Sequence, residues 1–293
     1  MIIAGRTSQS LAASLASETG RELAAVEYER FPDGEFVVGV PGLNATEVII
    51  VASTTSALAH LELLQLQDAA REAGVEQITT VLPYMGYARQ DKPMAPESST
   101  ETTPLGYPIS ARAMAKAIST GTDRVVVVTP HERSVLDFFS VPTLEVDGTA
   151  ALAAGLPNSL TDPLFVSPDA GARDIAASMR DAYGSGAIDH FEKTRQDAET
   201  VSIIPSEADP ANRDVVLIDD IVATGGTASE AVRLLSEGGA SRVLVTCVHA
   251  VLAERARTRL ARAGVDQIIA TDTIEGPETS VSVAPTIAEI IGG

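Results

Sequence analysis

The chain has 293 residues, of which 45% are apolar, and a formal net charge of −19. This length is enough for one large or two medium domains, each with its own core. No apolar run approaches the roughly eighteen residues that span a bilayer, and the acidic composition disfavours nucleic acid and membrane surfaces as partners. The N-terminus lacks the basic and apolar regions of a signal peptide, so we expect a cytoplasmic protein.

Short β-branched runs alternate with helical stretches along most of the chain. Strands are predicted at 48–51, 78–82, 125–128, 164–166, 201–204, 215–218, 243–248 and 267–270. Helices are predicted between them at 58–73, 109–119, 171–182, 227–236 and 252–263. This alternation is typical of parallel sheets that are covered by helices on both faces, which predicts an α/β fold.

Two polar stretches interrupt the alternation. The first, at 93–106, is rich in Pro, Thr, Ser and Glu and predicts an exposed loop. The second, at 189–212, predicts another loop that is broken only by the strand at 201–204. The single cysteine, Cys247, lies in an apolar run and is predicted to be a buried core thiol.

Two pairs of segments resemble each other. EVIIVAS at 47–53 and DVVLIDD at 214–220 are each followed by a helix and another strand. VVVVTPHE at 125–132 and LFVSPDAG at 164–171 each end a strand in Thr-Pro or Ser-Pro. Either a duplicated domain or chance similarity between α/β segments explains these matches. A domain boundary near 140–142 fits both.

The segment DVVLIDDIVATGGT, at 214–227, carries the clearest chemical signal. Its apolar run delivers Asp219 and Asp220 to the carboxyl end of a strand, where open α/β sheets bind their ligands. Glycines and a helix N-terminus follow, and together they direct backbone N–H groups toward an anion. Adjacent carboxylates suit the hydroxyls of a ribose whose 5-phosphate lies in the loop. The predicted phosphate-loop residues are Ala223, Thr224, Gly225, Gly226 and Thr227.

Other polar residues also follow predicted strands. Arg89 and Gln90 come after the strand at 78–82, at an edge where polyphosphate could bind, although such a run is more often a solvated turn. FPDGE, at 31–35, has the composition of a turn. His131 follows the strand at 125–128 and is either a hydrogen-bonded structural residue or, with Asp169, part of a Mg²⁺ site.

Lysine is scarce, with only three in the chain, so Lys193 is conspicuous. With Arg195 it lies in the predicted loop at 189–212, where most proteins carry solubilising charges only. A flexible loop with two cations can also close over a transferring polyphosphate and neutralise its developing charge.

DDIVATGGT resembles the phosphoribosyl-binding signature that phosphoribosyltransferases share with ribose-phosphate diphosphokinase, the PRPP synthetase family. Further segments resemble the synthetases in family order over nearly the whole chain, and the acidic composition is similar to that of an archaeal, halophilic type. These segments are FPDGE, PYMGYARQDK, TPHERSVLDFF, SPDAG and EKTR.

This resemblance implies two duplicated phosphoribosyltransferase-like domains, each a mainly parallel sheet flanked by helices. One would span 1–140, completed by 283–293, and the other 141–282. The implied reaction transfers diphosphate from MgATP to the C1 hydroxyl of ribose 5-phosphate. Its products are phosphoribosyl diphosphate, for nucleotide biosynthesis, and AMP.

The resemblance also implies roles for individual residues in a homo-oligomer built from dimers, up to a hexamer. The ATP-binding residues would be Asp33, Gly34 and Glu35 of a neighbouring subunit, with Arg89 and Gln90. Mg²⁺ would be held by His131 and Asp169. Ribose 5-phosphate would be bound by Arg195, Asp219, Asp220 and the loop at 223–227, while Lys193 and Arg195 would be catalytic.

Two alternatives remain at the level of the sequence. A phosphoribosyltransferase that consumes phosphoribosyl diphosphate explains DDIVATGGT, but it leaves RQDK, FPDGE and the TPH and SPD segments without a role. A non-catalytic regulatory relative should have lost the cations or the metal residues, and Lys193, Arg195, His131 and Asp169 are all present.

Overall fold

The structure, a computed structural model, describes residues 1–93, 106–168, 172–195, 201–205 and 208–292, with 192–195 and 201–205 described by their backbone. Two compact units are present. Unit 1 comprises Met1–Val146, Thr273–Glu275 and Ala284–Gly293. Unit 2 comprises Asp147–Asp272 and Gly276–Val283. The predicted loop at 93–106 lies almost wholly outside the described residues.

Unit 1 is built on a parallel sheet. In chain order its elements are β1 (Ile2–Ala4), α1 (Gln9–Thr19), β2 (Glu27–Arg30), β3 (Phe36–Gly39), β4 (Glu47–Val51), α2 (Ala57–Glu72), β5 (Gln77–Leu82), α3 (Ser110–Ser119), β6 (Arg124–Val128), a 3₁₀ helix (Arg133–Phe138), β7 (Thr143–Val146) and α8 (Ala284–Gly292). The strand order is β1-β4-β5-β6-β7, and β2 and β3 form a separate antiparallel hairpin. The four valines of β6 are at most 1% exposed, as expected of a strand buried on both faces.

Unit 2 repeats this plan on a larger sheet. Its elements are α4 (Thr149–Leu152), β8 (Leu164–Ser167), α5 (Arg173–Tyr183), β9 (Ala187–Arg195), β10 (Val201–Pro205), β11 (Asp214–Ile221), α6 (Gly226–Glu237), β12 (Arg242–His249), α7 (Ala256–Ala263), β13 (Gln267–Thr271) and β14 (Thr279–Val281). The strand order is β10-β9-β8-β11-β12-β13-β14. Only the β9–β10 pair is antiparallel among these described pairs.

The topology shows which segments of the two units correspond. The order β1-β4-β5-β6-β7 matches β8-β11-β12-β13-β14, and in each unit a hairpin, β2–β3 or β9–β10, follows the first strand in the chain. The similarity of EVIIVAS to DVVLIDD is therefore confirmed, because β4 and β11 hold equivalent places. The pairing of VVVVTPHE with LFVSPDAG is wrong, because β6 is a fourth strand and β8 is a first. Each strand is followed closely by a proline in the sequence, and that local feature produced the match.

The predicted α/β fold class is confirmed, and all eight predicted strands are present. The predicted loop at 189–212 is wrong over 189–195, because residues 187–195 form β9. Residues 187–190 pair in parallel with β8, and residues 191–195 pair with β10. Charged residues have little intrinsic preference for strands, but pairing on both sides and the burial of Phe191 outweigh that preference.

One ion pair in unit 2 joins two neighbouring strands. Arg242, at the start of β12, donates from Nε and Nη2 to the carboxylate of Asp214, at the start of β11. The side chain of Asp214 is 3% exposed and that of Arg242 is 39% exposed. The hydrogen bond from Arg242 holds the pKa of Asp214 below its ordinary value. The pair therefore stabilises the folded state wherever Asp214 is ionised.

We expect Arg242→Gln to lower the free energy of unfolding by about 3 kcal/mol at pH 7, because it leaves a buried carboxylate without its counter-ion. Since the folded-state pKa of Asp214 is depressed, the stabilisation is present above about pH 4 and is lost as the pH falls through the folded-state value. Urea unfolding at several pH values measures both effects, and the gap from wild type should shrink in acid.

Arg233→Gln is the matched control for this prediction. Arg233 contacts Glu230 and Glu237 at 2.6 Å, but both carboxylates are exposed, so the expected loss is below about 1 kcal/mol. Equal losses of unfolding free energy in the two variants would show that the N–O distance of the ion pair, rather than the burial of the carboxylate, decides the loss.

Candidate active site

Two carboxylates stand at the carboxyl edge of the sheet in unit 2. Asp219 and Asp220 are near the end of β11, which lies between β8 and β12. Oδ1 of Asp219 accepts a hydrogen bond from the amide of Asp220 at 2.9 Å. Oδ1 of Asp220 accepts one from the amide of Ile221 at 2.8 Å. These short local bonds fix the orientation of both half-buried side chains. The predicted position of the acids at a strand end is confirmed.

The loop that follows β11 is held by its carbonyl groups. The amide of Val222 donates to the carbonyl of His249, and the carbonyls of Val222 and Ala223 accept the amides of Leu252 and Ala253, each at 2.9 Å. In a trans peptide the N–H points opposite to the preceding carbonyl. The N–H groups of Ala223 and Thr224 therefore point away from the segment after β12.

The amide donors of this loop lead into a helix N-terminus. In the described part of the chain, the N–H groups of Ala223, Thr224 and Gly225 have no hydrogen-bond acceptor. Gly225 has φ +69° and forms the N-cap of α6, whose first-turn N–H groups have no partner within the helix. Donors from consecutive residues beside a helix N-terminus form a site for an anion such as a phosphate group.

The same contacts explain where the helix prediction failed. A helix was predicted at 252–263, but α7 begins only at Ala256. Leu252 and Glu254 have φ +42° and +55°, which no right-handed helix allows. The chain takes this conformation while the amides of Leu252 and Ala253 bind the phosphate-loop carbonyls. Tertiary hydrogen bonds here override the helical spacing of the sequence.

The turn after β5 carries the predicted nucleotide residues Arg89 and Gln90. Arg89 is exposed, whereas Gln90 holds the start of α3: its Nε2 donates to the carbonyl of Pro108 and its Oε1 accepts the amide of Ser110. Its side-chain amide is thus already used on both sides. These bonds could not be predicted from the sequence, because Pro108 and Ser110 lie beyond an intervening polar stretch.

The turn after β5 contacts the segment that carries His131. Lys92 Nζ lies 3.3 Å from Oε1 of Glu132, and this hydrogen bond raises the pKa of Lys92. His131 is exposed and follows Thr129, a β-branched residue with φ +39° at the end of β6. Strained backbone of this kind is concentrated at functional sites. Arg89 and His131 therefore lie on segments that meet at one edge of the sheet in unit 1.

The FPDGE segment is the tip of the β2–β3 hairpin. Asp33, Gly34 and Glu35 are all exposed, Gly34 has φ +95°, and Asp33 Oδ1 accepts the amide of Glu35 at 3.1 Å. The predicted turn is confirmed. Two residues of α2 hold the hairpin through hydrogen bonds. Glu62 accepts one from the hydroxyl of Tyr28, and the side-chain amide of Gln65 forms two with the backbone of β3.

The remaining predicted residues are only partly described. Lys193 and Arg195 lie on β9, where they pair with Ile203 and Val201 of β10, so the predicted loop position is wrong. Asp169 lies outside the described residues. Within the described ranges, no cluster of three or more His, Cys, Asp or Glu side chains is arranged for a metal ion.

The single cysteine is a core residue, as predicted. Cys247 lies on β12 beside Asp219 of β11 and is fully buried. Burial raises the pKa of its thiol, and the nearby Asp219 acts in the same direction. The thiol therefore stays protonated, which is the opposite of what a nucleophilic cysteine needs.

Comparisons with known proteins cover both units. The family model described as the N-terminal domain of ribose phosphate pyrophosphokinase matches residues 1–121, and the phosphoribosyl transferase domain matches residues 148–281. The ribose-phosphate pyrophosphokinase of Halobacterium salinarum is 54% identical over 99% of this chain and 100% of its own length. The chain belongs to the ribose-phosphate pyrophosphokinase family.

Two further relatives agree with this membership. The ribose-phosphate pyrophosphokinase of Methanosarcina mazei is 41% identical over 100% of this chain and 95% of its own. The crystal structure of phosphoribosylpyrophosphate synthetase from Mycobacterium smegmatis matches with a TM-score of 0.79 at 30% identity, covering 100% and 97% of the two chains. The family, the enzyme class and the fold of two phosphoribosyltransferase-like domains, all predicted from the sequence, are confirmed. None of the described helices meets the length and apolarity that a membrane crossing requires.

Proposed function

We propose that this pyrophosphokinase transfers diphosphate from MgATP to the C1 hydroxyl of ribose 5-phosphate, giving phosphoribosyl diphosphate and AMP. The observation that carries the proposal is the loop at 223–227, where the N–H groups of Ala223, Thr224 and Gly225 have no acceptor among the described residues and follow two oriented carboxylates. A ribose 5-phosphate fits this arrangement, because its phosphate takes the N–H donors while its hydroxyls donate to Asp219 and Asp220.

In this reaction the C1 oxygen attacks the β-phosphorus of ATP. The bond between that phosphorus and the α,β-bridging oxygen breaks, and AMP leaves. Reactions of this type need positioning and charge stabilisation rather than a covalent nucleophile, which agrees with a neutral, buried Cys247. Thr224 and Thr227 are exposed beside the loop amides and add hydroxyl donors to the phosphate.

ATP would lie against Arg89, which is exposed at the carboxyl edge of unit 1. Gln90 would act mainly by holding the turn, because its side chain already binds the start of α3. Asp33, Gly34 and Glu35 would reach the nucleotide of a neighbouring subunit, since they form the exposed tip of a hairpin. This role requires a homo-oligomer, which we propose is built from dimers, up to a hexamer.

Mg²⁺ is the cofactor that we propose, and the carboxylate of Asp169 is a ligand of the type that it prefers. Asp169 offers carboxylate oxygens, and His131, exposed after β6, would bind directly or through water. When bound, the ion neutralises charge on the polyphosphate. Lys193 and Arg195 would approach the transferring group and stabilise its transition state, and Arg195 would also contact ribose 5-phosphate.

The competing function is a phosphoribosyltransferase, which uses the same loop but consumes phosphoribosyl diphosphate. A base-free assay separates the two, because only the pyrophosphokinase forms AMP from ATP and ribose 5-phosphate without an added nucleobase. AMP formation that depends on a base would contradict the proposal. We further propose a cytoplasmic location and the two predicted domains, 1–140 with 283–293 and 141–282, with their boundary moved to follow Val146 because β7 belongs to the sheet of unit 1.

A further inference from the structure

The phosphate loop has a third tie to the segment after β12, and this tie is a side chain. Arg259, on α7, donates from Nη1 to the carbonyl of Thr224 at 3.0 Å. The two preceding loop carbonyls are held by backbone amides instead, those of Leu252 and Ala253. Arg259 therefore continues a row of three anchored carbonyls, at a carbonyl that accepts from no backbone amide of the described residues.

Arg259 differs from its neighbour on the same helix. Arg257 forms two hydrogen bonds with the carboxylate of Glu278. Among the described residues, no carboxylate lies within ion-pair distance of Arg259, although the chain carries a net charge of −19. None of the described carboxylates therefore pairs with its charge beside the loop, where an anion would benefit from it.

Of the three anchored peptides, the one between Thr224 and Gly225 can rotate most easily, because a glycine follows its carbonyl. Gly225 has φ +69° and no Cβ, and glycine occupies both halves of the φ range at similar cost. If the peptide between Thr224 and Gly225 rotated, the carbonyl of Thr224 would face the anion site and the N–H of Gly225 would face away. A donor for phosphate would then be replaced by an acceptor that repels it.

We propose that Arg259 is a positioning residue for ribose 5-phosphate: its guanidinium fixes the Thr224–Gly225 peptide with the N–H directed at the phosphate. The inference rests on the proposed function. A Cβ built at Gly226 would lie 3.5 Å from Nη1 of Arg259, so the guanidinium also sits beside the N-terminus of α6. It adds positive charge there without contacting the phosphate.

Steady-state kinetics with both substrates varied test this role. We expect Arg259→Gln to raise KM for ribose 5-phosphate about 10-fold or more, the typical effect of losing a hydrogen bond from a charged group. KM for ATP should stay within about twofold and kcat within a few-fold. Arg259→Lys retains a charged donor and should restore KM to within about threefold of wild type.

Arg262→Gln is the matched control, because it removes the same charge from the same helix. Its side chain has no hydrogen bond or ion pair with the described residues, so both KM values should be unchanged. Parallel changes of both KM values in Arg259→Gln, or an equal effect in Arg262→Gln, would overturn the proposal. If Arg259→Gln does not fold, Arg259→Lys carries the test, and a change in KM for ATP equal to that for ribose 5-phosphate contradicts it.

Calorimetric binding of ribose 5-phosphate without ATP separates this inference from the proposed function. That measurement needs no turnover, so it reports the effect of Arg259 even if the wild-type protein forms no AMP. A wild type that binds ribose 5-phosphate while Arg259→Gln binds it 10-fold more weakly supports the positioning role. Equal binding by the two proteins refutes it.

Discussion

Lys193→Ala is expected to lower kcat by about 10²–10³, the usual effect of removing a group that stabilises transition-state charge. The fold should be retained, because Lys193 contributes to the sheet through its backbone pairing with Ile203, which alanine preserves. KM for ribose 5-phosphate should change little, since we propose that the loop at 223–227 holds that substrate. Rapid-quench measurement of AMP formation, with thermal unfolding as a check, tests both statements.

Lys116→Ala is the control for the charge itself. Lys116 is an exposed lysine in the last turn of α3, so its removal changes the net charge equally. It should leave kcat within about twofold. A near-wild-type kcat in Lys193→Ala would remove Lys193 from the catalytic group and leave Arg195 to act alone.

Gly86→Ala is expected to destabilise unit 1 by about 3 kcal/mol or more, at or beyond the upper end for overpacking. A Cβ at this position would lie 2.0 Å from the carbonyl oxygen of Thr54 and 3.0 Å from Nε2 of His60. Neither group can retreat easily, because Thr54 donates its amide to the carbonyl of Tyr84 and His60 is buried. Chemical denaturation of the purified variant measures the loss.

The matched control is Gly39→Ala, at the end of β3 in the same unit. A Cβ there would meet no atom within 4 Å, so little change in stability is expected. Arg89, which we propose contacts ATP, follows Gly86 by three residues. The fraction of Gly86→Ala protein that folds should therefore also show a raised KM for ATP. A Gly86→Ala variant as stable as wild type would contradict the prediction, because it would mean that the turn after β5 can shift to accommodate the Cβ without loss of stability.

The loop at 223–227 and the two acids before it could be predicted from the sequence because their signal is local. In DDIVATGGT the strand, the acids, the glycines and the helix start are consecutive, and the structure places them in that order on β11 and α6. Buried strands are also predictable from the sequence, since they contain apolar runs such as the four consecutive valines of β6. The family resemblance then supplied the roles of segments that are ordinary turns by composition.

The sequence failed where distant residues decide the conformation. The first turn predicted for α7 is absent because Leu252 and Ala253 bind the phosphate loop. Residues 187–195 form a strand because β8 and β10 pair with them. Arg259 was missed for the same reason: four arginines occur at 255, 257, 259 and 262, and only the packing of α7 beside Gly225 selects one of them.

The fate of the three phosphorus atoms of ATP tests the central claim most directly. We would incubate the protein with ribose 5-phosphate and Mg²⁺, using ATP labelled with ³²P at the α-phosphate in one reaction and at the γ-phosphate in another. Attack at the β-phosphorus predicts that the α label remains in AMP and the γ label appears in phosphoribosyl diphosphate. Formation of ADP with the γ label in a ribose bisphosphate, or no transfer without an added base, would contradict it.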